Sequence, residues 1–437
     1  MKKKYFARMK KIIFSAVVVS SFSTLLSSNI FAEDGKLKVL TYNIAALPWP
    51  AYHDNAAGNP ADRVQYIGQK IYPFDIVGVQ EQFSKISLFR TDVRHPFYTA
   101  GKHLYSGGSG LDLFSKYPTS AWPTRITYND RPFYVKKGFT KNTVTLYPGV
   151  YVDVYNTHTG DKEGVIEKQL NQISDYIKAS PKSRAVIVMG DFNATLDGRG
   201  NIRARLANPN NLRDAYEEYF GNPGHNYWEI DRILFRNGDG VTFSVSYFEK
   251  PNYNTTPSPV YHGHFVHNGK ALSDHQPAYA ELSYTIDENK KLKSGDKHWL
   301  SEIKIDDAWN SGFENGPIKL DRPIDRPYFE LNGVKYEKGL GVHADSHIEI
   351  NLNKKYSRFH AKVGIDEEVG TKATTVRFKV KADGVTVFDS GVMNAYSETP
   401  TVDLDVSNVN KIVLEVDDEG NENYDHCDWA DAYFIVK

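Results

Sequence analysis

The sequence predicts two domains of different class: strands alternating with helices around a sheet in the first, and strands alone in the second. Three observations predict it. The chain has 437 residues, too many for one ordinary small domain. Apolar runs of strand length mix with a helical pattern before about residue 286, whereas only short alternating stretches, punctuated by Gly and Asn, follow. Between them, residues 287–298 are charged, carry Gly295 and lack apolar periodicity, as a linker does.

The first element is not part of either domain. Residues 1–32 hold six basic side chains (Lys2, Lys3, Lys4, Arg8, Lys10, Lys11) and no acid, followed by an apolar, serine-containing stretch and then Ile30, Phe31 and small Ala32. That is the pattern of a Sec-type signal peptide cut near Ala32, so the mature protein is expected to be secreted and without a transmembrane segment. The remainder carries 47 basic against 54 acidic residues, a poor balance for binding nucleic acid through bulk charge.

Residues 37–42, 76–79, 150–155 and 185–189 are apolar enough to be buried strands. Residues 162–179 place Val165, Ile166, Leu170, Ile173, Tyr176 and Ile177 at helical spacing, and Pro181 ends the pattern. Farther on, residues 347–352 and 375–380 alternate with period two, which predicts a β-sandwich. The single cysteine, Cys427, excludes an internal disulfide. Charge also divides the chain: residues 33–286 hold 27 basic and 25 acidic groups, and residues 287–437 hold 20 and 29.

Polar residues follow the apolar runs of the first domain. Asn43, Glu81, His158, Asp191 with Asn193, Asp231, and Asp274 with His275 each stand where a sheet presents side chains to a cleft. Any one of them alone is a turn or cap residue. Together they supply carboxylates, carboxamides and imidazoles, which suit a hard divalent ion and proton transfer. The His262, His264 and His267 loop is a weak zinc signal, and no glycine-rich phosphate loop or dinucleotide fingerprint is present.

Six short motifs in order carry a resemblance. They are Thr41, Tyr42, Asn43; Val79, Gln80, Glu81; Asn156, Thr157, His158; Gly190, Asp191, Phe192, Asn193; Ile230, Asp231; and Ser273, Asp274, His275, Gln276, Pro277. Over about residues 36–284 the chain resembles the DNase I-like endonuclease/exonuclease/phosphatase superfamily. Lys137, Gly138 and Phe139 bring it nearest the neutral sphingomyelinase-like branch. The resemblance implies an α+β four-layer sandwich, two β-sheets flanked by helices. It implies Mg²⁺, with Mn²⁺ as a substitute, held by Glu81 with Asn43 beside it and Asp274 as a further ligand. It makes His275 the general base on water, oriented by Asp231. Asp191 would orient the nucleophile, and Asn193 and His158 would donate to the phosphate. Thr159, Gly160 and Asp161 depart from the sphingomyelinase pattern, and the missing disulfide departs from secreted nucleases.

Residues 299–437 resemble carbohydrate-binding modules of the NPCBM type through Trp299 to Ile303, Lys338 to Ala344, Val363 to Asp366 and Asp425 to Ala432. The resemblance implies a β-sandwich that binds a cell-surface or extracellular glycan. Trp309, His343, Asp345 and Trp429 have the chemistry of a sugar site, an aromatic platform with polar partners. His343 and Trp429 suit a buried core equally well. The acidic stretch from Asp417, Asp418 and Glu419 to Asp431 is either a solvated loop or a Ca²⁺ site.

The leading expectation is a secreted metal-dependent phosphodiesterase, sphingomyelinase-like and targeted to glycans. The alternatives are a secreted endonuclease and a non-catalytic glycan-binding adhesin. A nuclease needs a basic groove, for which Arg199, Arg203 and Arg205 are candidates. A lipid hydrolase needs aromatics at its cleft, for which Trp49, Tyr52 and Trp122 are candidates.

Overall fold

The computed structural model describes residues 34–48, 59–99, 108–120, 123–130, 136–221, 229–249, 265–268, 270–310, 317–420 and 423–437. The segment read as a signal peptide, with Ala32, and Trp49, Tyr52, Trp122, His262 and His264, lie outside these residues.

In the N-terminal half the strands in chain order are β1 (Gly35–Ala46), β2 (Ile76–Gln82), β3 (Phe97–Tyr98), β4 (Asp112–Ser115), β5 (Thr124–Thr127), β6 (Gly138–Tyr147) and β7 (Val150–His158). They continue with β8 (Ala185–Asp191), β9 (Arg213–Asp214), β10 (Asp231–Arg236), β11 (Val241–Glu249), β12 (Val266–His267), β13 (Lys270–Ala271) and β14 (Ala278–Ile286). One sheet has the order β11-β14-β1-β2-β4-β3 and a second has β5-β6-β7-β8-β10-β9. Period-two alternation gives each sheet two apolar faces. Val39, Ile76, Val152, Val154, Ile187, Met189, Ile233 and Leu282 pack between the sheets. Leu40, Tyr42, Val77 and Val79 point the other way, onto α1 (Val64–Lys70) and α2 (Ile86–Arg90) through Val64, Ile67 and Phe89. On the far side α3 (Glu163–Ala179) buries Ile166, Leu170, Ile173 and Ile177 against Tyr155, Val186 and Val188. The result is the expected α+β four-layer sandwich. The helix expected from residue 162 begins at Glu163, because Lys162 is extended and forms its N-cap.

The described residues beyond 296 form two six-stranded sheets, a two-stranded hairpin (Phe329–Leu331 with Val334–Tyr336) and only short 3₁₀ turns, an all-β arrangement. Gly339–His343, Tyr356–Ile365 and His426–Val436 lie in one sheet, and Ser346–Asn351, Thr375–Ala382 and Lys411–Asp417 in the other. Their facing sides bury Leu340, Val342, Ile348, Phe359, Phe378, Leu414, Trp429 and Phe434.

The segment read as a linker is bonded to both halves. Lys291 pairs with Asp34 (2.6 Å), the Leu292 amide donates to Tyr147 Oη (2.8 Å), and residues 297–299 already pair with the last strand. Main-chain bonds then join the halves directly: the Ile305 amide to Lys116 O (2.9 Å) and the Ala308 amide to Arg94 O (3.2 Å). Lys304 Nζ lies 2.8 Å from buried Asp75, and Phe97 packs into the C-terminal core. Among the described residues no helix is long and apolar enough to cross a membrane.

Candidate active site

Strand register assembles the site. β7 runs parallel to β8 with His158 opposite Asp191, and β10 runs antiparallel to β8 with Asp231 opposite Asp191. Three polar strand ends therefore stand in one row on the second sheet. On the first sheet β1 and β2 are parallel with Asn43 opposite Gln80, so Asn43 and Glu81 end neighbouring strands. His275 precedes β14, which lies on the other side of β1.

Hydrogen bonds across the gap between the sheets close the ring. Asn43 Nδ2 donates to Asp191 Oδ2 (3.0 Å), and His275 Nδ1 donates to Asp231 Oδ2 (2.8 Å). His158 Nε2 lies 3.1 Å from Asp191 Oδ2 and 3.9 Å from Glu81 Oε1, and His275 Nε2 lies 3.8 Å from Asp191 Oδ2. Side chains separated by up to 232 residues thus share one pocket. Asp191 is the hub, since its Oδ1 also accepts the Asn193 amide at 2.9 Å.

Two backbone details aim these groups. Glu81 adopts a left-handed conformation (φ 58°), uncommon for a non-glycine residue, which breaks the strand alternation and leaves its side chain 18% exposed in the cleft. Gly190 has φ 152°, and a Cβ there would stand 2.0 Å from Thr157 O. Only glycine lets β8 approach β7 closely enough to set Asp191 beside His158.

Burial and charge tune the cluster. Burial would raise the Asp191 carboxyl, but His158, His275 and Lys137 outweigh it and hold the acid well below the usual carboxylate range. Burial would lower His275, but the charge and hydrogen bond of Asp231, with Asp191 and Asp274 behind, lift it to about 10. Burial pushes Asp231 up to about 6 against the pull of His275. At neutral pH the pair is an imidazolium facing a carboxylate.

Of the residues expected here, Asn43, Glu81, His158, Asp191, Asp231 and His275 meet in one pocket. Asn193 stands at its edge with φ 45° and gives its side-chain amide to Thr159 O (3.0 Å). Asp274 is exposed, and its Oδ1 lies 3.3 Å from Ser273 Oγ. Lys137 was not expected in the site. It precedes Gly138, which pairs with His158, and its Nζ contacts His158 Nε2. Burial depresses its ammonium, with Glu81 and Asp191 opposing. The register of a hairpin was the signal that would have found it. Gln80 and Asn156 lie beneath, where Gln80 Nε2 donates to Asn156 Oδ1 (2.6 Å) and Asn156 Nδ2 to the Val79 and Asp112 carbonyls (2.9 Å each), locking the two sheets together.

The carboxylate and carboxamide oxygens of Glu81, Asn43 and Asp191 fit a small hard cation, and no thiolate is near them to favour a soft one. Among the described residues, ligand atoms of Asp191, Asp231 and His275 also lie within 4.8 Å of one another.

Three sequence expectations are corrected. Trp429 is fully buried and packs edge-on against Phe378 in the C-terminal core, so it presents no platform to a sugar. His343 is buried as well, its Nδ1 2.7 Å from Ala344 O. Both stand on strands buried on both faces, Gly339–His343 and residues 427–430, so neither face is open to a ligand there. The arginine group is no basic groove: Arg203 is shared between Asp197 and Glu217, and Arg205 pairs with Glu167 at 2.8 Å. Trp309 remains exposed (38%) and stacks on His347, while Asp345 groups with Asp417 and Asp418.

Residues 40–275 match the model of the endonuclease/exonuclease/phosphatase family. The chain belongs to this family. Residues 296–435 match the NPCBM/NEW2 domain, so the endonuclease/exonuclease/phosphatase half is fused to a second recognised domain. Among curated proteins the chain is similar to a sphingomyelinase of Mycobacterium tuberculosis, 30% identical over 276 residues that cover 58% of this chain and 54% of that protein. It is also similar to a putative endo-alpha-N-acetylgalactosaminidase of Renibacterium salmoninarum, 33% identical over 195 residues, 43% of this chain and 12% of the relative. The chain spans about half the length of the sphingomyelinases it matches. Among solved structures, CBM51 from Clostridium perfringens GH95 in complex with methyl-galactose is 30% identical, covering 32% of this chain and all of that one, with a TM-score of 0.30.

Proposed function

We propose that the protein is a secreted, Mg²⁺-dependent phosphodiesterase acting on a sphingomyelin-like phospholipid, with the C-terminal domain holding it to a glycan. One observation carries the reading: an imidazole oriented by Asp231 and facing Asp191 stands across the same pocket from Glu81 and Asn43. Glu81 and Asn43, with Asp274 alongside, would hold the cation, which when bound polarises a phosphoryl oxygen. His275 would take the proton of the attacking water through Nε2, with Asp231 fixing the ring through Nδ1. That role needs His275 to lose its own proton, which neutralising the surrounding carboxylates favours. Lys137 would face the phosphate oxygens with its positive charge, and His158 with an N–H donor. The 30% identity to sphingomyelinases supports the lipid substrate. The neutralised arginines count against a nuclease.

Of the two tryptophans expected to contact sugar, Trp309 is the exposed one, and Asp345, Asp417 and Asp418 would hold a Ca²⁺. Hydrolysis of sphingomyelin, bis-p-nitrophenyl phosphate, p-nitrophenyl phosphate and plasmid DNA, with Mg²⁺ or EDTA, tests the enzyme. Mg²⁺-dependent release of phosphocholine from sphingomyelin is expected. Turnover that survives complete metal removal, or cleavage of DNA alone, overturns the reading.

A further inference from the structure

Arg63 lies at the start of α1, outside every motif that assembled the site, and is 4% exposed. Its Nη1 donates to Ile44 O (2.6 Å) and Leu272 O (2.7 Å), and its Nη2 to Ala45 O (2.6 Å). Among the described residues its hydrogen bonds all go to main-chain carbonyls, and Nε is buried without a partner. A guanidinium is costly to bury on neutral acceptors alone. Burial lowers the Arg63 pKa from its ordinary value, and the carboxylates of Asp274 and Glu81 oppose that without cancelling it.

The three carbonyls belong to two segments that carry active-site groups. Ile44 and Ala45 follow Asn43 on β1, and Leu272 comes two residues before Asp274. Ser273 Oγ donates to Asn43 O (2.6 Å) between the same segments. Neither segment pairs with the other in a ladder at this point, since the β1–β14 register ends at Thr41 and Ala278. Past that register the planar fork of Arg63 does the joining.

We propose that Arg63 is a positioning residue for the metal-binding edge of the active site: its guanidinium sets the spacing between the strand end that carries Asn43 and the segment that carries Asp274. The proposal rests on the reading of Glu81, Asn43 and Asp274 as metal ligands. Lysine keeps the charge but has no fork to span three carbonyls, so Arg63→Lys isolates geometry from charge.

The test is Mn²⁺ titration of the metal-free full chain by electron paramagnetic resonance, with amide hydrogen exchange on the same samples. Arg63→Lys is expected to bind Mn²⁺ about 10–100-fold more weakly, the range found for groups that orient metal ligands. Exchange at residues 44–46 and 272–274 should quicken, while near-ultraviolet circular dichroism is unchanged. With a water-soluble diester, kcat should fall more than KM rises. Wild-type Mn²⁺ affinity in Arg63→Lys and Arg63→Met overturns the proposal. If Glu81→Gln leaves the wild-type Mn²⁺ site intact, the metal reading fails separately. Exchange then judges Arg63 alone, and unchanged rates in Arg63→Lys sink it.

Discussion

Single side chains carry the sharpest expectations, because each candidate has a stated partner. Glu81→Gln, Asp191→Asn and His275→Ala should each lower diester hydrolysis by about 10²–10⁴-fold or more while the far-ultraviolet spectrum stays that of the native protein. Normal turnover in any one of them counts against the assignment. The His275 titration adds a signed pH effect. Its folded value of about 10 lies above the ordinary 6.5, so its contribution to stability is full below pH 6.5 and is lost as pH rises toward 10. In the metal-free protein, the stability gap between wild type and His275→Asn in urea should therefore shrink from pH 6.5 to 10. A gap that widens over that window would reverse the sign. Trp429→Ala should cost about 3–5 kcal/mol of stability, whereas Trp309→Ala should leave the melting temperature unchanged and weaken glycan binding on an array. The site residues were legible because each polar group interrupts an apolar run. Trp429 was not, since an aromatic residue in an alternating stretch reads alike whether its face meets solvent or a second sheet.

Secondary-structure elements explain why the polar groups meet. The helix Glu163–Ala179 was legible from its 3.6-residue spacing, and the strand ends from where apolar runs stop. The register was not, because a one-residue slip leaves composition untouched yet turns every side chain to the opposite face. Gly190 shows what the register demands: with φ 152° and Thr157 O 2.0 Å from any Cβ, Gly190→Ala must push β8 away from β7. A loss of about 1–3 kcal/mol in urea unfolding is expected, together with activity lower than the stability loss explains, because Asp191 moves with the strand. An alanine variant as active and as stable as wild type would show that the close approach is dispensable. Lys137 illustrates the converse, since its place beside His158 follows from the β6–β7 pairing and from nothing in its own neighbours along the chain.

At the scale of the whole molecule, the charged run read as a linker behaves as a seam. Lys291, Leu292 and Lys304 are each bonded to the N-terminal half, and Phe97 sits in the C-terminal core. Charge alone did not reveal this, since a hydrophilic run looks the same free in water or laid over a surface whose polar groups it satisfies. Removing residues 287–437 should therefore uncover Phe97 and strand the carboxylate of Asp75, lowering the thermal midpoint of the remaining half. The intact chain should melt in one calorimetric transition. Two separated transitions, with the truncated half as stable as before, would mean that the halves are independent.

The main-chain hydrogen bonds from the Ile305 amide to Lys116 O and from the Ala308 amide to Arg94 O leave no slack between the two halves. A flexible tether would let an anchored enzyme sweep a patch of surface, with the local substrate concentration set by tether length. On the proposed function a welded pair offers one pose only, so a glycan would help when it stands at the height and angle that bring the pocket down onto its ester, and would otherwise hold the enzyme away from its work.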